Sequence, residues 1–269
     1  EQLLRAIRLG MHGANLIVES AKGECNYGQH EIAFRYEEAL RTCDNHSVYK
    51  MGAKEIASQM GQSLTFMAKF NEREGNSCHI HLSFRDKKGN PILAGEAGDG
   101  LSKAGRAYIA GIQKHMRELT LLFAPNINSY KRYQAGTFAP TAIKWGRDNR
   151  TCALRLVGQG QSLRVENRVP GGDVNPYLAV AGMVAAGLSG IEENAELEPI
   201  FQGNAYALET DRVPTSLKEA RDLWANSSWV RDTFGEDVQK HYTHMADTEL
   251  DAFGRAVTDW ERFRSFERM

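Results

Sequence analysis

A strand that carries charge at every second residue must turn one face to water or to a polar site, because strand side chains alternate with period two. Residues 164–168, Arg-Val-Glu-Asn-Arg, read as such a strand, with Arg164, Glu166 and Arg168 on one face. Burial would normally forbid charge on a β-prone run. The chain nevertheless repeats the pattern in three other places: Glu24 with Glu31, His79 with His81, and Arg150 with Arg155. In the His-x-His run both imidazoles share a face.

Each pattern alone has a plain reading as the exposed face of an antiparallel strand, and Arg-x-Glu-x-Arg is a common solvated motif. Together they offer what a metal–triphosphate site needs. Hard Mg²⁺ or Mn²⁺ takes carboxylate oxygens and tolerates histidine, while arginine forks neutralise phosphoryl oxygens.

The rest of the chain supplies elements to carry such a site. Leu3, Leu4, Ile7 and Met11 recur at helical spacing, so residues 2–14 read as an amphipathic helix, and residues 44–61 as another. Asn15–Ser20, Gln29–Tyr36 and Cys78–Arg85 read as strands, the last followed by a turn at Asp86–Asn90. Ser102 is a candidate N-cap for a helix to Leu122. Two strand-like runs between Thr151 and Val169 flank the loop Gly-Gln-Gly-Gln, and Pro176–Gly190 reads as a buried Ala/Gly-rich helix. The remainder, with Trp224, Trp229, Phe234, Tyr242 and Trp260, reads as a helical cap. The fold expected is α+β: a curved, mainly antiparallel sheet with flanking helices.

A net charge of −1 over 269 residues gives no broad electrostatic case for nucleic acid or membrane partners. No apolar run reaches the ~18 residues of a membrane span. Four cysteines with no CxxC pair favour a reduced, cytoplasmic protein. The chain starts on Glu1, already in a helix-like segment, so upstream sequence is expected.

Asn128–Arg132 (NSYKR) with Ala139-Pro140 resembles the signature of glutamine synthetases, and so do GQHE at 28–31, SCHIHLS at 77–83, DNR at 148–150 and RVENRVPGGDVNPYLA at 164–179. Their order and approximate spacing match too, from about residue 3 to the C-terminal RSFERM, and NSYKR followed by NPYLA is highly specific. The resemblance implies the glutamine synthetase/guanidino kinase type of catalytic fold. Residues 1–269 would be the C-terminal catalytic domain, with 205–269 a helical cap within it. It also implies that an N-terminal β-grasp domain and a first catalytic strand with two more metal-ligating glutamates lie outside this chain, so the chain alone is expected not to catalyse. The whole protein would be a homo-oligomer, in the family's rings of twelve.

Position by position, the resemblance assigns Glu24 and Glu31 to one divalent metal, and His79 and Glu166 to a second beside the nucleotide phosphates. His81 and Ser83 would meet ATP, with Glu19 and Tyr36 near its nucleoside end. Arg132 and Arg168 would hold L-glutamate, with Gly75 touching its backbone, and Arg150, Arg155 and Arg164 would bind phosphate oxygens. Arg132, Arg150 and Arg168 are thus the implied catalytic arginines. The implied chemistry has two steps: ATP phosphorylates the γ-carboxylate of glutamate, then an amine displaces phosphate.

Two departures bear on the substrate. Ammonia-using members carry a glutamate six residues after the arginine of NSYKR, where this chain has Phe138. Phenylalanine can neither attract a cation by full charge nor accept a proton, but its face can lie against an alkylammonium group for about 0.5–2 kcal/mol. The acceptor expected is therefore an organic amine rather than ammonia. In the Gly-Gln-Gly-Gln loop, Gln161 stands roughly where the family often has a nucleotide-contacting lysine. The rival readings are an ammonia-using glutamine synthetase, a guanidino kinase, whose motifs are not seen, and a non-catalytic structural or regulatory relative, which should have lost metal ligands that Glu24, Glu31, His79 and Glu166 retain.

Overall fold

A computed structural model describes residues 1–268. Helix α1 (Gln2–Gly13) buries Leu4, Ile7 and Met11, the i, i+3, i+7 stripe that one helix face provides. Strands β1 (Val18–Gly23) and β2 (His30–Phe34) form an antiparallel two-stranded sheet. Helix α2 (Ala39–Gln59) packs on α1, and Ile7, Met11, Leu16 and Ala53 close a small separate core.

The larger core gathers around a second sheet. Its strands are β3 (Ile80–Leu82), β4 (Trp145–Arg147), β5 (Leu154–Val157) and β6 (Arg164–Asn167), in the order β3-β6-β5-β4. β3–β6 and β6–β5 are antiparallel, as the alternating runs predict, but β4–β5 is parallel. Three residues of β4 are too few to show a period, so this pair leaves no alternating signature. The connection between β4 and β5 bends through Asp148, held at φ 50°. The strand expected over Cys78–Arg85 is regular only at Ile80–Leu82. Beyond it the chain pairs through an Arg85–Pro91 bridge and the bond from Ile92 N to Phe84 O (2.9 Å).

Helix α3 (Lys103–Phe123) starts at the expected cap: Ser102 Oγ accepts from Gly105 N at 2.9 Å. After the short α4 (Ile127–Tyr130), α5 (Pro176–Glu192) begins on Asn175, whose side chain accepts from the Tyr177 and Leu178 amides. α3 and α5 approach backbone to backbone. A Cβ on Gly111 would stand 2.1 Å from Ala186 O, and one on Gly190 would stand 2.2 Å from Ala107 O. This close crossing explains why α5 is rich in Ala and Gly. The chain ends in α6 (Leu217–Asn226), α7 (Ser228–Phe234), α8 (Glu236–Arg255) and α9 (Asp259–Ser265). Trp224 is buried among them and donates its indole N–H to Gln239 O at 3.0 Å. Among the described residues no helix is long and apolar enough to cross a membrane.

Overpacking a tight core typically costs about 1–3 kcal/mol, so Gly111→Ala and Gly190→Ala should each lower the urea midpoint by at least that equivalent. Gly254→Ala, on the α8 face where a Cβ meets nothing within 4 Å, should leave stability unchanged or raise it by about 0.5–1 kcal/mol. Equal midpoints for all three variants would contradict the backbone-to-backbone crossing.

Candidate active site

The second sheet is apolar on one face and charged on the other. Leu154, Leu156 and Val165 are buried in the main core. On the other face the register sets His81 opposite Glu166 and Glu166 opposite Arg155, a row across β3, β6 and β5. Glu166 is only 1% exposed. Arg168 Nη1 donates to its Oε1 at 2.7 Å and Arg155 Nη1 to its Oε2 at 2.9 Å. His79 Nδ1 lies 3.2 Å from Oε1, and His81 Nε2 3.9 Å. A buried carboxylate without partners costs several kcal/mol; here two guanidiniums offset that cost.

This clustering of charge sets the protonation of its members. Burial, then the positive charges of Arg168 and Arg132, hold the His79 pKa well below its usual value. Burial also lowers that of His81, although Glu166 opposes it. Both imidazoles are therefore neutral near pH 7 and have a lone pair to offer. For Arg155, burial works against the charge, but hydrogen bonds to Asp148 and Glu166 outweigh it and raise the pKa. Arg164 adds its Nε at 3.3 Å from His81 Nδ1.

A second buried cation stands beside this face. Arg132 is 1% exposed, donates from Nη1 to Ser77 Oγ at 3.0 Å and from Nη2 to Val169 O, and lies over the Tyr133 ring. The loop at Gly75 closes on its stem: a Cβ there would meet Arg132 Cγ at 2.7 Å and Ala68 O at 2.4 Å. Gln29 Nε2 holds Gly75 O at 2.9 Å. The NSYKR run positions the arginine. Asn128 exchanges two hydrogen bonds with the Lys69 backbone (2.8 and 2.9 Å), and Ser129 Oγ donates to Asp173 at 2.6 Å. Arg168 Nη2 reaches Phe138 O at 3.5 Å. Phe138 is 55% exposed and sits at φ 61°, a left-handed conformation that is unusual for so bulky a residue.

The other sequence candidates lie further out. Glu24 and Glu31 flank Lys22 Nζ at 2.7 and 3.5 Å on the β1–β2 sheet. Glu19 is exposed on β1, Tyr36 is exposed just beyond β2, Ser83 is exposed after β3, and Arg150 is exposed in the turn after β4. Among the described residues no side-chain hydrogen bond or ion pair joins any of these to Glu166, and no three His, Cys, Asp or Glu side chains form a metal cluster. Sequence reasoning missed Asp173, Ser77 and Arg85. Arg85 binds Gly89 O (2.9 Å) and both the side chain and the carbonyl of Gln161, which brings a cation to the loop at Gln161. Its place in phase with His79, His81 and Ser83 was the available signal.

The model of the glutamine synthetase catalytic domain matches residues 1–265, and the chain belongs to that family. Among its relatives, the gamma-glutamylethanolamide synthetase GlnA4 of Streptomyces coelicolor is 64% identical over 269 residues, which is 100% of this chain and 58% of that protein. The glutamate–isopropylamine ligase of a Pseudomonas species is 36% identical over 97% of this chain and 58% of its own length. The fold superposes on solved structures of GmaS at 30% identity: TM-score 0.90 without ligand and 0.91 with ADP, over 99% of this chain and 63% and 64% of theirs. The α+β architecture expected from the sequence is therefore that of the family. The chain spans 58% of the length of each of these two relatives.

Removing the hub should be costly. Glu166→Ala leaves the buried Arg168 guanidinium without its carboxylate, while half-buried Arg155 keeps Asp148, and should destabilise the chain by about 3–5 kcal/mol. Asp148→Asn, which suits the φ of 50°, breaks only a pair whose carboxylate is 73% exposed, worth about 0–1 kcal/mol. Urea denaturation of both variants checks this, and equal losses would contradict the hub.

Proposed function

We propose that this chain carries the ATP-, metal- and glutamate-binding residues of a ligase that joins the γ-carboxylate of L-glutamate to a small organic amine through a γ-glutamyl phosphate. The observation that carries this reading is Phe138, which stands beside Arg168 where ammonia-using family members have glutamate. Its exposed ring offers an apolar, cation-tolerant surface and no proton acceptor. Two relatives, one named for a glutamylethanolamide product and the other for the isopropylamine that it ligates, support the size class of amine.

In this reading residues 1–269 act as the catalytic domain, capped by 205–269. Arg132 and Arg168, with the Gly75 loop, hold glutamate by its carboxylates. Arg150, Arg155 and Arg164 hold phosphoryl oxygens, and His81, Ser83, Glu19 and Tyr36 meet the nucleotide. The donor set fits a divalent ion, Mg²⁺ or Mn²⁺. His79 Nδ1 faces Glu166 Oε1 at 3.2 Å, close enough for one ion to be held by both, and carboxylate oxygen suits Mg²⁺ or Mn²⁺. His79 and Glu166 would hold one ion, Glu24 and Glu31 another. Such ions, when bound, neutralise the charge on the transferring phosphoryl group. Arg155 and Arg168 would keep Glu166 oriented while Arg168 lends its free N–H to substrate.

The free cysteines Cys25, Cys43, Cys78 and Cys152 suit a reducing, cytoplasmic setting. Exposed Trp260, Phe263 and Phe266 on and after α9 are apolar surface of the kind that a homo-oligomer covers.

An amine panel tests the proposal on the full-length protein, with phosphate release as the readout. Ethanolamine or isopropylamine should give the higher kcat/KM, and ammonia turned over as well as every organic amine would sink the reading. Phe138→Glu should shift the preference towards ammonia by roughly 2- to 30-fold, the equivalent of the lost cation–π contact.

A further inference from the structure

Residues 67–76 form a loop with no helix or strand to set its shape. The loop carries Gly75, whose missing side chain lets it close on the Arg132 stem. Its base is anchored locally. Asn76 N donates to Ala68 O at 2.8 Å, Gly172 N donates to Asn76 O at 2.9 Å, and Asn128 holds the Lys69 backbone. The tip, residues 71–74, is held from a distant part of the chain.

The holder is the turn that joins β1 to β2. A bond from Glu24 N to Gln29 O (2.9 Å) closes this turn, and Gln29 N donates to Asn26 O at 3.0 Å. From it two side-chain amides reach across. Asn26 Nδ2 donates to Asn71 Oδ1 at 2.7 Å and to Glu74 O at 2.8 Å. Gln29 Nε2 donates to Gly75 O at 2.9 Å and to Asn76 Oδ1 at 2.8 Å, while its Oε1 accepts from Asn26 N at 3.2 Å. Asn26 is only 6% exposed, and burying an amide is tolerable when its donors are matched in this way. Outside the amides, the Arg73 guanidinium lies 4.2 Å over the Tyr27 ring.

We propose that Asn26 and Gln29 are positioning residues for glutamate: a clasp of two amides that holds the Gly75 loop against Arg132 before the substrate arrives. A loop ordered in advance loses less freedom on binding, and the saving appears as affinity. The same turn joins Glu24 to Glu31, so one short segment places residues of both the metal and the glutamate sites. The inference rests on the reading that Arg132 and the Gly75 loop hold glutamate.

Gln29→Leu in the full-length protein keeps most of the side-chain bulk and removes both donors. Glutamate must then order the loop itself. Its Kd, titrated calorimetrically with Mn²⁺ and ADP present, should rise more than twofold and by up to about 30-fold, the worth of the lost bonds. The Kd for ADP, and kcat at saturating glutamate, should stay within about twofold, a split that general damage to the fold would not produce. Asn26→Asp keeps the shape and removes the donor to Glu74 O. It should move glutamate affinity in the same direction, and it carries the test if Gln29→Leu does not fold. Glutamate affinity within twofold of wild type in both variants, or an equal loss for ADP, overturns the inference. A wild-type protein that binds no glutamate sinks the ligase reading instead.

Discussion

The charged face of the sheet exists because Glu166 is clamped between Arg155 and Arg168. Glu166 and Arg168 would each be intolerable alone in so buried a place, and half-buried Arg155 ties the pair to Asp148. The clamp spans β5 and β6, so it also fixes their register: a slip of one residue would send Arg155, Glu166 and Arg168 into the apolar core. From that point the imidazoles of His79 and His81 are set beside the carboxylate by β3, and Arg168 is left with one hand on Glu166 and the other on the Phe138 loop. The helices behind the sheet serve the same end, for the tight α3–α5 crossing is part of the core on which the sheet's apolar face rests.

Much of this was legible in the sequence because period-two alternation of charge has few structural outcomes. Arg-Val-Glu-Asn-Arg and His-x-His each announce a polar face, and the structure brings the two faces together. What alternation cannot show is pairing partner and direction, which is why the parallel β4–β5 pair was not foreseen. Helix periods were similarly readable, and Ser102 caps α3 as its position predicts. The burial of Arg132 was not legible. It depends on two glycines, Gly75 and Gly171, brought against one side chain from distant parts of the chain.

The site residues divide by how they are held. Those on the sheet are fixed by strand pairing and ion pairs, whereas Glu24 and Glu31 sit on the smaller sheet with only Lys22 between them. Lysine on a flexible stem is easily displaced by a divalent cation, whereas the guanidinium clamp on Glu166 is built into the fold. Phe138 is held differently again, in a strained backbone conformation with its ring largely in solvent. Strain of that kind costs about 1–3 kcal/mol and persists where the surroundings impose it. Here the imposed geometry presents the Phe138 carbonyl to Arg168 and leaves the ring free to meet a substrate.

If the Glu166 face is the ligand-binding centre of an ATP-using ligase, metal and nucleotide must meet there. A crystal structure of the full-length protein grown with Mn²⁺ and ADP tests it most directly, through the manganese anomalous signal. A manganese peak is expected between His79 Nδ1 and the Glu166 carboxylate, with the ADP phosphates directed at Arg155 and Arg164. Manganese and nucleotide bound away from His79 and Glu166 would contradict that placement.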